Sequence, residues 1–186
     1  MATIILDAGH GPLTPGKRSP DGRLLEFQFN ADVAERVRHY LLLEDVDVFY
    51  SHENSRDVPL SERAAIANRL DGDAFVSIHA NAFGSDWNKA QGIETYMYPY
   101  ASKKTAALTE LIHSSMISAC GRKDRGVKTA NFAVLRETKM PAVLVECGFM
   151  TNREEAGLLL SGAYRVQCAR AISFGILSWL YHEGII

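Results

Sequence analysis

The chain has 186 residues, 47% of them hydrophobic and 23% charged, which predicts one compact globular domain and excludes disordered and fibrous classes. Its 20 basic and 22 acidic residues leave a formal charge of −2, so no nucleic-acid partner is expected. No uncharged apolar run reaches the roughly 18–20 residues of a membrane span, so no membrane partner is expected either.

Residues 3–7, Thr-Ile-Ile-Leu-Asp, form a short apolar run that stops at Gly9-His10-Gly11, the pattern of a buried strand ending in a loop. Gly11, Pro12, Pro15, Gly16, Pro20 and Gly22 then make residues 11–25 a long irregular loop, a kind of segment that is often functional. From Phe27 to about Leu43 the apolar residues Phe29, Val33, Val37 and Leu41 recur at helical spacing. Residues 46–50 read as a second strand, and Pro59 opens a helix running through Leu70. Strands are predicted over 74–79 and 93–98, followed by a helix from about Ser102 to Ala119. Residues 132–135 read as a short strand and 142–146 as a buried one. Thr151-x-x-Glu154 matches a capping box for the next helix. The last helix carries Tyr164, Cys168, Ile172, Gly175 and Trp179 on one stripe.

Strands alternating with helices predict an α/β fold. Its sheet is a twisted, mostly parallel or mixed one of about six strands with helices on both faces. The domain is read as residues 1–181, with 182–186 as a C-terminal tail and no further domain expected. Cys120, Cys147 and Cys168 have no C-x-x-C spacing and read as buried small hydrophobes. The N-terminus has neither a basic segment nor an apolar run long enough for a signal peptide.

In an open α/β sheet, ligands bind at the carboxyl ends of the strands. Here those ends carry Asp7 to His10, then His79 and Asn81, then Glu146, while the long loop delivers Glu26 where its helix begins. Two imidazoles and a carboxylate with positions left open suit a catalytic zinc ion, and a further carboxylate can serve as base. Glu94 is a weaker candidate for that base. His39, His52, His113 and His182 read as surface residues, and Arg122-Lys123-Asp124-Arg125 as solvated turn charges. Asp7 or a backbone carbonyl is expected to orient one of the ligand histidines.

The stretches IILDAGHG, LLEFQFN, RDVPLSERAAIAN, AFVSIHANAF, GIETYMY, DRGVK and PAVLVECGFMTNREE occur in this order across nearly the whole chain. In them the sequence resembles the zinc-dependent N-acetylmuramoyl-L-alanine amidases of the Amidase_3 type, found in bacterial cell-wall hydrolases and phage endolysins. The resemblance implies one Zn²⁺ per chain, held by His10, Glu26 and His79, with Glu146 catalytic. It implies hydrolysis of the amide between the lactyl group of N-acetylmuramic acid and L-alanine of the stem peptide, by zinc-activated water with a glutamate as general base and then acid. The implied partner is bacterial peptidoglycan, met on the extracellular side by a monomer. Without a signal peptide in this chain, that location requires phage-lysin release, mother-cell release or a leader absent here. The alternatives are another zinc peptidase or amidohydrolase cutting within the stem peptide, and a non-catalytic wall-binding module.

Overall fold

A computed structural model describes residues 2–14 and 16–186; Pro15 of the long loop lies outside them. Among the described residues, six strands form one sheet of order β2-β1-β3-β6-β4-β5. The strands are β1 (Thr3–Ala8), β2 (Asp47–Tyr50), β3 (Ala74–Asn81), β4 (Ile93–Met97), β5 (Asp124–Thr129) and β6 (Ala142–Phe149). The helices are α1 (Glu26–Leu42), α2 (Leu60–Leu70), α3 (Lys103–Cys120), α4 (Ala133–Arg136), α5 (Arg153–Leu160) and α6 (Gly162–His182). β1 pairs in parallel with β2 and β3, and β3 in parallel with β6. β4 runs antiparallel to β6, and β5 follows β4 in parallel, so the sheet is mixed. None of the described helices is long and apolar enough to cross a membrane.

Both faces of the sheet are covered, unequally. On one face Phe29, Val33 and Val37 of α1, Leu108, Ile112 and Met116 of α3, and Ile172, Ile176 and Trp179 of α6 share a core with Ile4, Leu6, Val76, Ile78, Val143 and Val145. On the other, Ala67 of α2 and Val134 and Leu135 of α4 cover Ile5, Phe75, Ala142 and Leu144 in a smaller cluster. Alternation along β1, β3 and β6 feeds both cores at once, which is why these strands read as continuous apolar runs. Gly175 lets α6 approach α3, because a Cβ there would meet the Ile112 backbone.

Four local expectations are corrected. Residues 132–135 are not a strand: Phe132 precedes the short helix α4, whose Val134 and Leu135 are buried in the second core. The strand missing from the sequence reading is β5, which contains part of the supposed turn charges. Its Arg125 and Lys128 pair with Glu94, so these charges lie within the sheet. Thr151 is not the cap of α5. Asn152 is, accepting from the backbone N–H groups of Glu154 and Glu155. Glu155 then accepts from the N–H groups of Phe149 and Gly92, tying α5 to β6 and to the start of β4. Finally, His52 and His113 are buried. His52 Nδ1 accepts from the Ala8 N–H at 3.0 Å, and His113 bridges Thr95 and Asp124.

Candidate metal centre and catalytic cleft

After β1 the chain moves to one side to form β2, then crosses to the other side of β1 to form β3. The sheet therefore has a switch point between β1 and β3, where neighbouring loops diverge and leave a crevice at the carboxyl ends. His10 follows β1 into that crevice and His79 lies near the end of β3. Glu146 is paired in register with His79 on β6. Glu26, the first residue of α1, comes up from the long loop.

That loop is irregular but well tied. The N–H of Leu13 and the hydroxyl of Thr14 donate to Asp57, just before α2. Ser19 and Asp21 close a tight turn around Leu24. The N–H of Lys17 donates to Glu26 Oε2 at 3.0 Å, and Glu26 N–H returns a bond to the Lys17 carbonyl. Asp21, the other acid of the loop, is exposed and occupied by Ser19 and Arg23.

The structure brings His10, Glu26 and His79 together, with one potential ligand atom from each inside a 4.8 Å group. Nε2 of His10 lies 3.1 Å from Glu26 Oε2, and Nδ1 of His79 lies 3.0 Å from Glu26 Oε1. The two rings meet edge to face with centroids 5.4 Å apart. Burial alone would raise the Glu26 carboxyl, but the hydrogen bonds and charges of His10 and His79 hold it down at about 2. Burial pushes the His79 imidazole down, and Glu26, Glu146 and Asp7 together pull it above its ordinary value.

The hydrogen-bond order around His79 shows why a cation fits. Ser77 Oγ gives its single hydrogen to Asp7 Oδ2 at 2.6 Å, so it can only accept from His79 Nε2, at 3.1 Å. Nε2 therefore carries the ring hydrogen, and Nδ1 is the atom turned toward the ionised Glu26. A bare Nδ1 lone pair 3.0 Å from a carboxylate is repulsive unless a proton or a metal ion lies between them. Two imidazole nitrogens and a carboxylate oxygen are donors suited to zinc.

Glu146 lines the same cleft. The residue is half-buried, and its Oε2 is buried with no hydrogen-bond partner among the described residues. Such an orphaned acceptor calls for an explanation, and a cleft beside a donor cluster supplies one. Burial pushes its carboxyl up to about 7; His79 opposes the shift and the charges of Glu26 and Glu94 add to it. Glu94 is differently placed: buried, bonded by Arg125, Lys128 and Tyr96, and held below its ordinary value despite burial. An acceptor so fully engaged has no lone pair to spare for a reacting proton.

The cleft encloses about 620 Å³, and His10, Glu26, His79 and Glu146 are among its lining residues. Val58, Leu60, Phe132, Val134 and Leu144 give it an apolar lining drawn from the start of α2, from α4 and from β6, and Lys17 and Asp57 add charged groups. Leu144 was legible as part of a buried strand, but Val58, Leu60, Phe132 and Val134 carried no signal as a wall, because they come from loops and helix starts that meet only in the fold.

A two-sided α/β sheet with imidazoles and carboxylates in a cleft at its switch point has the architecture of an α/β enzyme. The family model described as N-acetylmuramoyl-L-alanine amidase (Amidase_3) matches residues 4–178, and the chain belongs to that family. It is 38% identical over 178 residues to N-acetylmuramoyl-L-alanine amidase CwlM of Bacillus licheniformis, covering 95% of this chain and 68% of that protein. To N-acetylmuramoyl-L-alanine amidase LytC of Bacillus subtilis strain 168 it is also 38% identical, with 95% of this chain aligned to 35% of that protein. The crystal structure of N-acetylmuramoyl-L-alanine amidase from Clostridium difficile 630 superposes with a TM-score of 0.93 at 35% identity, covering 98% of both chains.

Proposed function

We propose that this domain hydrolyses the amide joining the lactyl group of N-acetylmuramic acid to L-alanine in bacterial peptidoglycan. In this reading His10, Glu26 and His79 hold one zinc ion and Glu146 moves the proton. The single observation that carries it is the orphaned, proton-hungry Glu146 carboxylate in the same cleft as the His–Glu–His group. Bound there, a zinc ion supplies Lewis-acid polarisation of the amide carbonyl and of water.

The chain's own residues do the rest. Glu26, kept ionised by its two imidazole neighbours, contributes negative charge that favours a divalent ion. Glu146 takes a proton from the attacking water and returns it to the nitrogen of L-alanine, so that a neutral amine leaves. A carboxyl poised at about 7 can act in both directions, and a bound divalent ion would draw its value lower. The apolar side chains of the cleft offer a face against which substrate can shield the reacting centre from water. All four residues come from one chain, so a single copy carries the whole proposed site to the cell wall.

Purified protein incubated with peptidoglycan should release peptides with new L-alanine N-termini, and new termini elsewhere in the stem would point to a peptidase instead. Elemental analysis should find one zinc per chain. A chelator should stop lysis, and zinc should restore it. Metal-free protein should stay folded, since two packed cores do not depend on the ion, and should melt somewhat lower because bound ligand adds stability by mass action. Full lysis in chelator by a zinc-free protein would refute the metal assignment.

A further inference from the structure

One buried ion pair touches both histidines of the cluster by different routes. Arg63 of α2 is 2% exposed. Its Nη1 donates to Asp7 Oδ1 at 2.8 Å and to the Ala8 carbonyl at 2.6 Å, its Nε donates to the Val58 carbonyl at 2.8 Å, and its Nη2 donates to the His10 carbonyl. His10 needs such a hold. It is a non-glycine residue in the left-handed region, with φ of 69°, a conformation that is strained for an L side chain and persists only where the surroundings enforce it. The other route starts at Asp7 Oδ2, passes through the Ser77 hydroxyl, and ends on Nε2 of the His79 ring. Asp7 has a further hydroxyl partner, Ser51, at 2.7 Å, which leads to neither histidine.

We propose that Asp7 and Arg63 form a positioning bracket for the metal site. Arg63 fixes the His10 backbone in its left-handed turn. Asp7, acting through Ser77, fixes the plane and the tautomer of His79 so that Nδ1 points at the metal position. The inference rests on the assignment of His10 and His79 as zinc ligands. It assigns Asp7, Arg63 and Ser77 the role of positioning residues, since none of them touches the reacting atoms. Hydrogen bonds that orient ligand imidazoles in this way commonly change metal affinity by 10- to 100-fold. A purely structural ion pair, tying β1 to α2, would change stability and leave the affinity of the folded protein alone.

The test compares Ser77→Ala with Ser51→Ala. Both remove one hydroxyl from Asp7 and leave the Arg63 pair in place, but only Ser77 leads on to a histidine. Zinc affinity of the purified metal-free proteins is measured by competition with a chromogenic chelator, and their melting is followed by circular dichroism. Expected is a 10- to 100-fold weaker zinc affinity for Ser77→Ala, near wild-type affinity for Ser51→Ala, and similar melting of the two metal-free variants. Equal affinities across wild type and both variants, or an equal loss in both variants, would overturn the bracket. Wild-type protein that binds no zinc would overturn the ligand assignment itself, and the bracket with it. Arg63→Lys keeps a charge beside Asp7 but lacks the forked reach to the His10 carbonyl. Measured well below its melting temperature, it should bind zinc about 10-fold more weakly, and wild-type affinity would remove Arg63 from the bracket. If Arg63→Lys does not fold, the two serine variants still decide.

Discussion

Glu94 and Glu146 face each other directly in the antiparallel β4–β6 ladder, yet they hold their protons in opposite ways. Both are subject to burial, which raises a carboxyl. At Glu94 the hydrogen bonds and charges of Tyr96, Lys128 and Arg125 overcome it. At Glu146 nothing comparable answers, and Glu94 itself adds to the upward push. Two like residues on adjacent strands are thereby separated into a fixed anion and a carboxyl that readily holds a proton.

Glu146→Gln keeps the shape of the side chain and removes its ability to take up a proton. Lysis should fall by roughly 10²–10⁴-fold, the usual worth of acid–base catalysis, while zinc content stays at the wild-type level. The stability effect has a definite sign. The folded value of about 7 lies above the ordinary 4.5, so between them the metal-free fold binds more protons than the unfolded chain. The stabilisation from this group is therefore full below about pH 4.5 and lost as pH rises through 7. Metal-free Glu146→Gln has no such loss and should gain up to about 3 kcal/mol over wild type at pH 8, and little at pH 4. Urea unfolding at the two pH values checks this, and near-normal lysis would take Glu146 out of the mechanism.

Glu26→Ala should abolish tight zinc binding while leaving the helical circular-dichroism signal nearly unchanged. The helix start loses one acid near its N-terminus, worth only about 0.3–1 kcal/mol. Asp21→Ala is the control from the same loop, because that carboxylate is exposed and turned to Ser19. Loss of zinc in Asp21→Ala with retention in Glu26→Ala would show that the wrong acid had been assigned.

Gly9→Ala places a methyl group where the His79 ring now lies. The ring has to leave its position between Ser77 and Glu26, so zinc affinity and lysis should drop together in a protein that still folds. Gly22→Ala is a matched comparison in the same loop: its φ is 71°, but a Cβ there meets nothing within 4 Å. That variant should cost only about 1–2 kcal/mol of backbone strain and retain activity. Equal activity in the two variants would argue that the His79 position does not matter.

Gly175→Ala probes the opposite end of the structure. The added Cβ would lie 2.6 Å from the Ile112 Cα, so α3 and α6 must move apart. A loss of about 1–3 kcal/mol is expected from thermal or urea unfolding, with zinc affinity of the folded protein preserved. A neutral effect would mean that the two helices separate without penalty.

The sequence made the frame of the sheet and the strand-end residues readable, because β1, β3 and β6 are apolar runs that each stop at a polar residue with little reason to be there otherwise. It misassigned β5 because Asp-Arg-Gly-Val-Lys-Thr is an edge strand whose charges point to Glu94, a partner 31 and 34 positions away. Phe-Ala-Val-Leu at 132–135 has strand-like composition, but its apolar residues fill a gap beside α2, and tertiary packing overrides propensity there. His10, Glu26, His79 and Glu146 were legible individually. Asp7 was legible as a group to orient a histidine, but its links to Arg63 and Ser77 were not, since the bonds join residues 56 and 70 positions apart and leave no local pattern.

The three proposed ligands hang from β1, α1 and β3, and Glu26 and His79 alone are separated by 53 positions. They converge only after β1 and β3 have paired in parallel and α1 has docked across them. Non-local parallel pairing is among the slower events of folding. A zinc-sensitive probe present during refolding should therefore report capture after helix formation is complete. In a zinc finger the ion seeds an otherwise unfolded chain; in this domain it would seal a finished one, so protein could be made empty and loaded later, wherever zinc is available.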